Sequence, residues 1–353
     1  MSQTTSLASA HAERSQRINE KLTREAGPLV CAALQDPDVI EVLLNSDGAL
    51  WLDRLGQGMA IVGSMPASQA ESFMMTVAAA HNTTITRDNP ILECELPLDG
   101  SRFEALMPPV VSAPVFAIRK RASRVFSLAD YAAKGMLRPG YRPQRDSQPD
   151  YWDTARDPVE AINGAIRNRA NILVVGGTSS GKTTLANAVL GAIAALCPDD
   201  RVVAIEDTVE LQIPVRNHVA LRTSENVSMA RLLRATMRLR PDRIGVGEVR
   251  GGEAFTLAKA WNSGHPGGFG TIHADSAVEG LDKFGLYIYE APEARSLSPD
   301  IIGRTVASAV NLVIFIEKTS EEPGRLVTEI CRVRGYGPTG YDLEPLVVQP
   351  LDR

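Results

Sequence analysis

The stretch GGTSSGKTT, residues 176–184, constrains the fold more than any other part of the sequence. It fits the pattern G-x-x-x-x-G-K-[S/T], follows the apolar run ILVV and precedes the helical run KTTLANAVLGAIAAL. Glycines let successive backbone N–H groups turn toward one anion, and the helix N-terminus adds its dipole. The sequence therefore predicts a phosphate-binding loop made of Gly176, Gly177, Thr178, Ser179, Ser180, Gly181, Lys182, Thr183 and Thr184.

Around this loop, apolar strand-like runs alternate with helical runs. The helical run PVEAINGAIRNR precedes the loop strand. The runs RVVAIED, RIGVGE and GFGTIHA are separated by SMARLLRATMRL and GEAFTLAKAWNSG, and NLVIFIEK and RLVTEICRVRGYGPTGYDLEPLVV close the pattern as strands. Such alternation predicts right-handed crossovers and a mostly parallel sheet covered by helices on both faces. We assign residues 157–353 to this α/β domain.

The N-terminal part of the chain has a different pattern. A helical spacing from Ala12 to about Leu34 is followed by three short β-rich runs, the helical run PASQAESFMMTVAAAHN, a hairpin around DG at residues 99–100, and the strand-like run PVFAIRKR. This pattern predicts a small α+β domain over residues 1–140. Residues 141–156 are rich in Pro, Gly and charge, which indicates a linker.

Carboxylates follow two of the predicted parallel strands. Glu206, Asp207 and Glu210 come after RVVA, and Glu248 comes after RIGVG. The carboxyl ends of parallel strands form the edge where ligands bind, so these groups are expected beside the loop. They are enough both to hold Mg²⁺ and to polarise a water molecule, although Glu206 and Asp207 could equally cap helices or pair with arginines.

Lysine, threonine and histidine side chains complete the predicted site. Lys182 is suited to neutralise the β- and γ-phosphates of a nucleotide, and Thr183 offers a hydroxyl to Mg²⁺. His265 and His273 lie in GHPGGFGTIHADS. His273, at a strand end, is the stronger candidate for contacting a γ-phosphate, whereas His265 is equally well explained as structural.

Composition limits the classes of function. The net charge of −5 and the aromatic content of 5% argue against direct binding of nucleic acid. Four scattered cysteines without a CxxC pair argue against a zinc site or a disulfide framework. We find no secretory leader, and no apolar run reaches the roughly 20 residues of a spanning helix, so we expect a cytoplasmic protein.

Several functions remain open from the residues alone. They are a mechanoenzyme, a DNA translocase or helicase acting directly on nucleic acid, a small-molecule kinase, and a peripheral membrane protein with a regulatory ATPase. A kinase would need a lid, and no lid-like arginine segment is found. The charged run AERSQRINEKLTREA could contact a membrane, but it is more typical of a solvated helix face.

Four segments together resemble one family. GGTSSGKTT, IEDTVEL, RLRPDRIGVGEVRGGEA and GHPGGFGTIHADS are similar to the Walker A, Asp box, Walker B and His box of the secretion ATPase superfamily. The segment RLRPDRIGVGEVRGGEA resembles the corresponding segment of the type IV secretion branch, and within that branch it is most similar to the TrbB-type conjugal transfer ATPases. The motifs span about half of the chain.

The resemblance implies an architecture and a function. It implies a RecA-like P-loop domain that hydrolyses ATP with Mg²⁺, in a homo-hexameric ring on the cytoplasmic face of the inner membrane. The ring would contact inner-membrane components of a secretion or conjugation channel. It would power pilus assembly, export of DNA and protein, or both. The N-terminal domain would then serve docking and ring contacts.

The resemblance also implies roles for particular residues. Lys182 and Thr183 would bind phosphate and Mg²⁺. Glu210 occupies the position of the general base in the Asp box, Glu248 that of the Walker B carboxylate that holds Mg²⁺ through water, and His273 that of the γ-phosphate sensor.

In this superfamily, arginines of the N-terminal domain complete the site. GSRFEALMPP and PVFAIRKR resemble those segments, which nominates Arg102 and Arg119, with Arg121 a lesser candidate. The Walker B text ends in GVGE, with glycines in place of a fuller apolar run, and this leaves the division of roles between Glu210 and Glu248 open.

Overall fold

A computed structural model describes residues 2–121, 127–139, 152 and 155–346 of the chain. The chain divides into two compact units, Met1–Tyr141 and Arg142–Arg353. Most of the predicted linker, residues 141–156, lies outside the described residues. Within the described residues, no helix is both long and apolar enough to cross a membrane.

The N-terminal unit combines helices with one antiparallel sheet, as its sequence pattern predicts. The helices are α1 (Ser2–Gln35), α2 (Ala67–Ala80) and α3 (Leu128–Ala133). The strands are β1 (Val39–Leu44), β2 (Ala49–Arg54), β3 (Gly58–Ser64), β4 (Ile91–Glu95), β5 (Arg102–Leu106) and β6 (Val115–Arg119). The strand order is β3-β2-β1-β6-β5-β4, and every neighbouring pair is antiparallel.

One face of this sheet forms the core of the unit. Alternating strand residues such as Val42 and Phe116 pack with α1 and α2 in a single apolar cluster. Three aromatic rings, Phe73, Phe103 and Phe116, meet within 5.8 Å of one another at their centroids. Because side chains alternate along a strand, the other residues of β1, β5 and β6 lie on the opposite face.

Helix α1 is longer than the sequence pattern predicts, and it is interrupted. Gly27 has φ 76° and ψ 171°, and Pro28 follows it. Proline has no backbone N–H to donate, and glycine adopts positive φ without a steric penalty, so the pair breaks the hydrogen-bond ladder at this point.

The C-terminal unit contains six helices and eight strands among its described residues. The helices are α4 (Pro158–Arg167), α5 (Lys182–Leu196), α6 (Met229–Thr236), α7 (Glu253–Asn262), α8 (Ala277–Glu290) and α9 (Pro299–Ala309). The strands are β7 (Ile172–Val175), β8 (Val202–Glu206), β9 (His218–Arg222), β10 (Arg243–Val246), β11 (Phe269–Ile272), β12 (Leu312–Lys318), β13 (Arg325–Gly337) and β14 (Gly340–Pro345).

These eight strands form one mixed sheet in the order β14-β13-β12-β7-β11-β10-β8-β9. The six strands from β12 to β9 are parallel, while β13 and β14 form an antiparallel hairpin at one edge. This arrangement confirms the predicted α/β fold. The sequence analysis did not predict β9, α8 or α9. The phosphate-loop strand β7 lies between β12 and β11, so the loop emerges near the middle of the sheet.

A buried ionic network joins the amino ends of the parallel strands. Arg243, at the start of β10, is 1% exposed. Its guanidinium donates to Asp200 Oδ2 at 2.6 Å and to the carbonyls of Ile166 and Gly267 at 3.0 Å each. Asp200 also pairs with Arg169. Charges this deeply buried are stable only when they are paired, so the network fixes α4, β8 and β10 at the end opposite to the carboxylates.

Candidate active site

A cleft of about 490 Å³ lies at the carboxyl ends of the parallel strands. The phosphate loop, the segments after β8, β10 and β11, and the start of β13 all contribute to it. Its lining residues are Thr178, Ser179, Ser180, Gly181, Lys182, Thr183, Thr184, Glu206, Asp207, Thr208, Glu210, Gly247, Glu248, Arg250, Thr271, His273 and Arg325.

The phosphate loop runs from β7 to the first residue of α5. Gly181 has φ 101°, a conformation that glycine adopts without strain, and it caps the helix at Lys182. Gly176 has no room for a side chain, since a Cβ there would lie 2.3 Å from the carbonyl oxygen of Ile316. The sequence therefore needs glycine at both positions to bring backbone N–H groups around an anion.

Lys182, His273 and Glu248 form a chain of polar contacts across the cleft. Lys182 Nζ donates to the carbonyl of Gly177 at 2.8 Å and lies 3.1 Å from His273 Nδ1. His273 Nε2 lies 2.9 Å from Glu248 Oε1. An ammonium can only donate, so the neutral ring accepts at Nδ1 and donates its Nε2–H to Glu248.

The charge environment supports this assignment for His273. Burial, and then the neighbouring positive charge of Lys182, lower the pKa of the imidazole, while Glu248 opposes the shift. Burial likewise lowers the pKa of Lys182. A neutral imidazole between an ammonium and a carboxylate connects the phosphate loop with the segment after β10. The structure thus brings these three residues, each a candidate from the sequence, into contact.

Glu210 and Thr183 meet on the other side of the loop. Thr183 Oγ1 donates to Glu210 Oε2 at 3.0 Å, and Asn187 Nδ2 donates to the Glu210 carbonyl at 3.3 Å. Glu210 is exposed, so its carboxylate is open to water. The geometry places this carboxylate next to the hydroxyl predicted to bind Mg²⁺.

Glu206 serves the structure of the site. It is 4% exposed, and its Oε1 accepts the backbone N–H groups of Glu210 and Leu211 at 2.9 Å each. Asp207 accepts from Thr223 Oγ1 at 2.8 Å. Asp207 also lies 3.6 Å from Arg250 Nη1, so its contacts support the alternative of pairing with an arginine, whereas Glu206 holds the backbone of a loop and not a helix end.

Two arginines in the cleft were not singled out by sequence reasoning. Arg250 Nε donates to Glu248 Oε2 at 2.9 Å, a bond that raises the pKa of Arg250, and its Nη1 lies 3.6 Å from Asp207. Arg325 Nε donates to the Ser179 carbonyl at 3.2 Å. Arg250 could have been found from its place two residues after a strand-end carboxylate. Arg325 lies far in sequence from the other residues of the cleft, and no motif around it indicates a nucleotide site.

His265 has a structural contact. Its Nδ1 lies 3.2 Å from the carbonyl of Pro241, and it does not line the cleft. The structural interpretation, which the sequence left open, is therefore the one that this contact supports for His265.

The donor groups of the cleft fit Mg²⁺. This ion prefers oxygen ligands, keeps several waters and is usually bound by one or two protein groups plus phosphate oxygens. Thr183 offers a hydroxyl, and Glu210 and Glu248 offer carboxylates. The structure joins Thr183 to Glu210 by a hydrogen bond, whereas Glu248 contacts His273 and Arg250.

The nominated arginines of the N-terminal unit lie on adjacent strands. Arg102 on β5 is directly opposite Arg119 on β6, and Arg119 is opposite Glu41 on β1. Both arginines are exposed, and Arg119 Nε lies 3.6 Å from Glu41 Oε1. Arg121 donates to Glu95 at 2.9 Å. Arg102 and Arg119 therefore present their side chains on one face of the sheet.

Comparison with known proteins identifies the family. A sequence profile described as "Type II/IV secretion system protein" matches residues 153–320. The conjugal transfer protein TrbB of Rhizobium radiobacter is 43% identical, and the match covers 93% of this chain and 94% of that protein. Protein VirB11 of Agrobacterium fabrum is 32% identical over 80% of this chain and 85% of its own length.

A solved structure confirms the fold. The VirB11 ATPase from the Brucella suis type IV secretion system, crystallised with sulphate, superimposes with a TM-score of 0.83 at 27% identity. The match covers 91% of this chain and 96% of that one. The motifs, the fold and the identity to relatives agree, and the last two extend over nearly the whole chain. The chain therefore belongs to the type II/IV secretion system family, the secretion ATPases.

Proposed function

We propose that the protein is an ATP-hydrolysing motor of a type IV secretion or conjugal transfer system, powering pilus assembly, substrate export, or both. One observation carries the proposal. A single cleft holds the phosphate-loop lysine, the carboxylates of Glu210 and Glu248 and a neutral histidine, in a chain that is 43% identical to a conjugal transfer protein. That combination is suited to cleaving a nucleotide phosphate with water.

The residues of the cleft divide the chemistry of hydrolysis. Lys182 and the loop N–H groups hold the β- and γ-phosphates. Glu210 accepts a proton from water as the water oxygen bonds to the γ-phosphorus and the bond to the bridging oxygen of ADP breaks. Thr183 and Glu248 would hold Mg²⁺, which neutralises phosphate charge when it is bound.

His273 links the phosphates to the rest of the site. It contacts Lys182 on one side and Glu248 on the other. Any change in how Lys182 is engaged by phosphate alters the hydrogen bond to His273, and through it the position of Glu248. His273 is therefore our candidate sensor of the γ-phosphate.

The assembly is the finer part of the proposal. We infer a homo-hexamer on the cytoplasmic face of the inner membrane, in contact with membrane components of the channel, because the chain resembles a conjugal transfer protein and the VirB11 ATPase of a type IV secretion system. Arg102 and Arg119 would stabilise transition-state charge in the ring, as arginines supplied across subunits do in other nucleotide hydrolases.

Two experiments test the function. Lys182→Ala should abolish ATP hydrolysis without unfolding the chain, while the control Lys259→Ala, an exposed lysine outside the cleft, should retain activity. In a donor strain lacking the gene, the wild-type chain should restore conjugal transfer and Lys182→Ala should not. Near wild-type hydrolysis by Lys182→Ala would refute the assignment of the site.

A third experiment tests the ring. Native mass measurement with Mg²⁺ and an ATP analogue should detect a species of six chains. A strictly monomeric protein with undiminished ATP turnover would remove the role of arginines from neighbouring subunits.

A further inference from the structure

The β12–β13 hairpin places one arginine at the rim of the phosphate loop. Arg325 is the first residue of β13 and pairs in register with Lys318 on β12. Its Nε donates to the carbonyl of Ser179 at 3.2 Å. A Cβ built on Gly181 would lie 3.0 Å from Arg325 Cδ, so the stem of the arginine lies against the backbone of the loop.

The contact supports an unusual backbone conformation. Ser179 has φ 60°, in the left-handed region that residues other than glycine rarely adopt. Its carbonyl oxygen accepts the hydrogen bond from Arg325 Nε. Arg325 thus holds the loop from the β12–β13 hairpin while lining the cleft.

The charges that line the cleft make Arg325 distinctive. Three cations line it, and four carboxylates lie among the other lining residues. Arg250 is engaged by Glu248 and Asp207. Among the residues that the structure describes, Lys182 and Arg325 are the cleft-lining cations with no carboxylate within ion-pair distance.

Arg325 also has unused donor capacity. A guanidinium carries five N–H donors in a planar fork. The hydrogen bond to Ser179 uses the one at Nε, and the side chain is exposed at the cleft. The two terminal nitrogens are therefore available to an anion that enters the cleft, and such a fork suits phosphate oxygens.

We infer that Arg325 binds the phosphates of the nucleotide as a second cation beside Lys182. Arg325 and the phosphate loop that hold this nucleotide belong to the same polypeptide. This inference rests on the proposed nucleotide site and adds a binding residue to it. The positive charge of Arg325 strengthens the binding of the phosphates, and this role is additional to the hydrogen bond that Arg325 donates to the loop.

The test is equilibrium binding of fluorescently labelled ADP with Mg²⁺ to the full chain. Arg325→Ala should weaken binding roughly five- to tenfold at low salt, because hydrogen bonds to a charged group are lost and the exposure of the side chain limits their contribution. Arg325→Gln keeps a hydrogen-bond donor but loses the charge, and it should weaken binding as much as alanine does. Arg325→Lys keeps the charge and should retain most of the affinity.

A matched control lies on the same strand. Arg334 is also exposed, but it pairs with Glu344 at 2.9 Å and lies outside the cleft, so Arg334→Ala should bind ADP like the wild type. The effect of Arg325→Ala should shrink as salt is raised, because exposed charge interactions are screened. It should be equal for ADP and GDP, because the phosphates are common to both.

Each other outcome has a defined meaning. Full affinity in Arg325→Gln with a loss in Arg325→Ala would overturn the inference, because Arg325 would then act only by holding the Ser179 carbonyl. A loss that differs between ADP and GDP would also overturn it, in favour of a contact with the base. Unchanged binding in Arg325→Ala beside a loss in Lys182→Ala refutes this inference alone. A wild-type chain that binds neither nucleotide refutes the proposed function.

Discussion

Glu206 allows a worked prediction, because its contacts separate structure from chemistry. Its buried carboxylate holds the N–H groups of Glu210 and Leu211. Leu211 is 7% exposed, so water cannot easily replace the bond to its N–H, whereas Glu210 is exposed and can be solvated. Leaving one buried donor unpaired costs about 1–3 kcal/mol, and the exposed one costs less. Glu206→Ala should therefore lower the free energy of unfolding by about 2–3 kcal/mol.

The same change should reduce turnover. Without the Glu206 carboxylate, the segment that carries Glu210 is no longer fixed to the end of β8. Small displacements of a catalytic group strongly reduce the rate of the chemical step. We expect kcat for ATP hydrolysis to fall roughly 10- to 100-fold in Glu206→Ala, with ADP affinity nearly unchanged. Glu206→Gln keeps an acceptor oxygen and should lose about half as much stability.

Urea unfolding and steady-state hydrolysis measure the two effects. Glu225→Ala, which removes an exposed carboxylate outside the cleft, is the control and should match the wild type in both assays. If Glu206→Ala unfolds at the same urea concentration as the control and turns over ATP at the same rate, the carboxylate does not position the segment and the reasoning fails.

Three further predictions address other parts of the C-terminal and N-terminal units. Arg243→Met should lower the free energy of unfolding, measured by urea titration, by about 3–5 kcal/mol. The reason is that two buried carbonyls lose their hydrogen-bond donor, although Asp200 keeps its ion pair with Arg169. A loss below about 1 kcal/mol would contradict the stabilising role of the network. Glu210→Gln and Glu248→Gln should each abolish hydrolysis while sparing ADP binding; loss of activity in only one of them would refute the two-carboxylate scheme. Burial, and then the charges of Glu104 and Glu95, raise the pKa of Cys94 from 9.0 to about 12. The fraction of thiolate, the reactive form, is then roughly a thousandfold lower, so iodoacetamide should label Cys94 quickly only after the protein is denatured.

The phosphate loop and its surroundings could be predicted because they depend on local sequence and on one rule of topology. The glycines, Lys182 and Thr183 are contiguous, and their strand–loop–helix context is visible in the sequence. Glu248 and His273 lie far from the loop in sequence, yet each follows a parallel strand. The carboxyl ends of such strands share one edge, which brings these residues together.

Two helices that the sequence analysis did not predict contain glycines whose position only the packing explains. Helix α8 contains Gly280 and α9 contains Gly303, and glycine within a helix costs about 1 kcal/mol relative to alanine. A Cβ at Gly280 would lie 2.5 Å from Val175, and one at Gly303 would lie 2.4 Å from Tyr336. The glycines are therefore required by close contact with the sheet, and only the tertiary structure reveals this.

Arg325 illustrates the same limit at the site itself. It lies 146 positions from Ser179, on a hairpin whose sequence has no feature typical of a nucleotide site. Its role depends on β12 lying beside β7 in the sheet. The order of strands is a property of the whole fold, so a pattern of neighbouring residues cannot predict it.

The register of β5 and β6 has a mechanical consequence. Arg102 and Arg119 project from the ends of two paired inner strands of a six-stranded sheet that is backed by α1 and α2, so both side chains are carried by the sheet itself. Any rotation of that sheet moves both guanidinium groups together, through the same angle. Whatever anion they meet, the two positive charges would arrive and withdraw as one rigid pair.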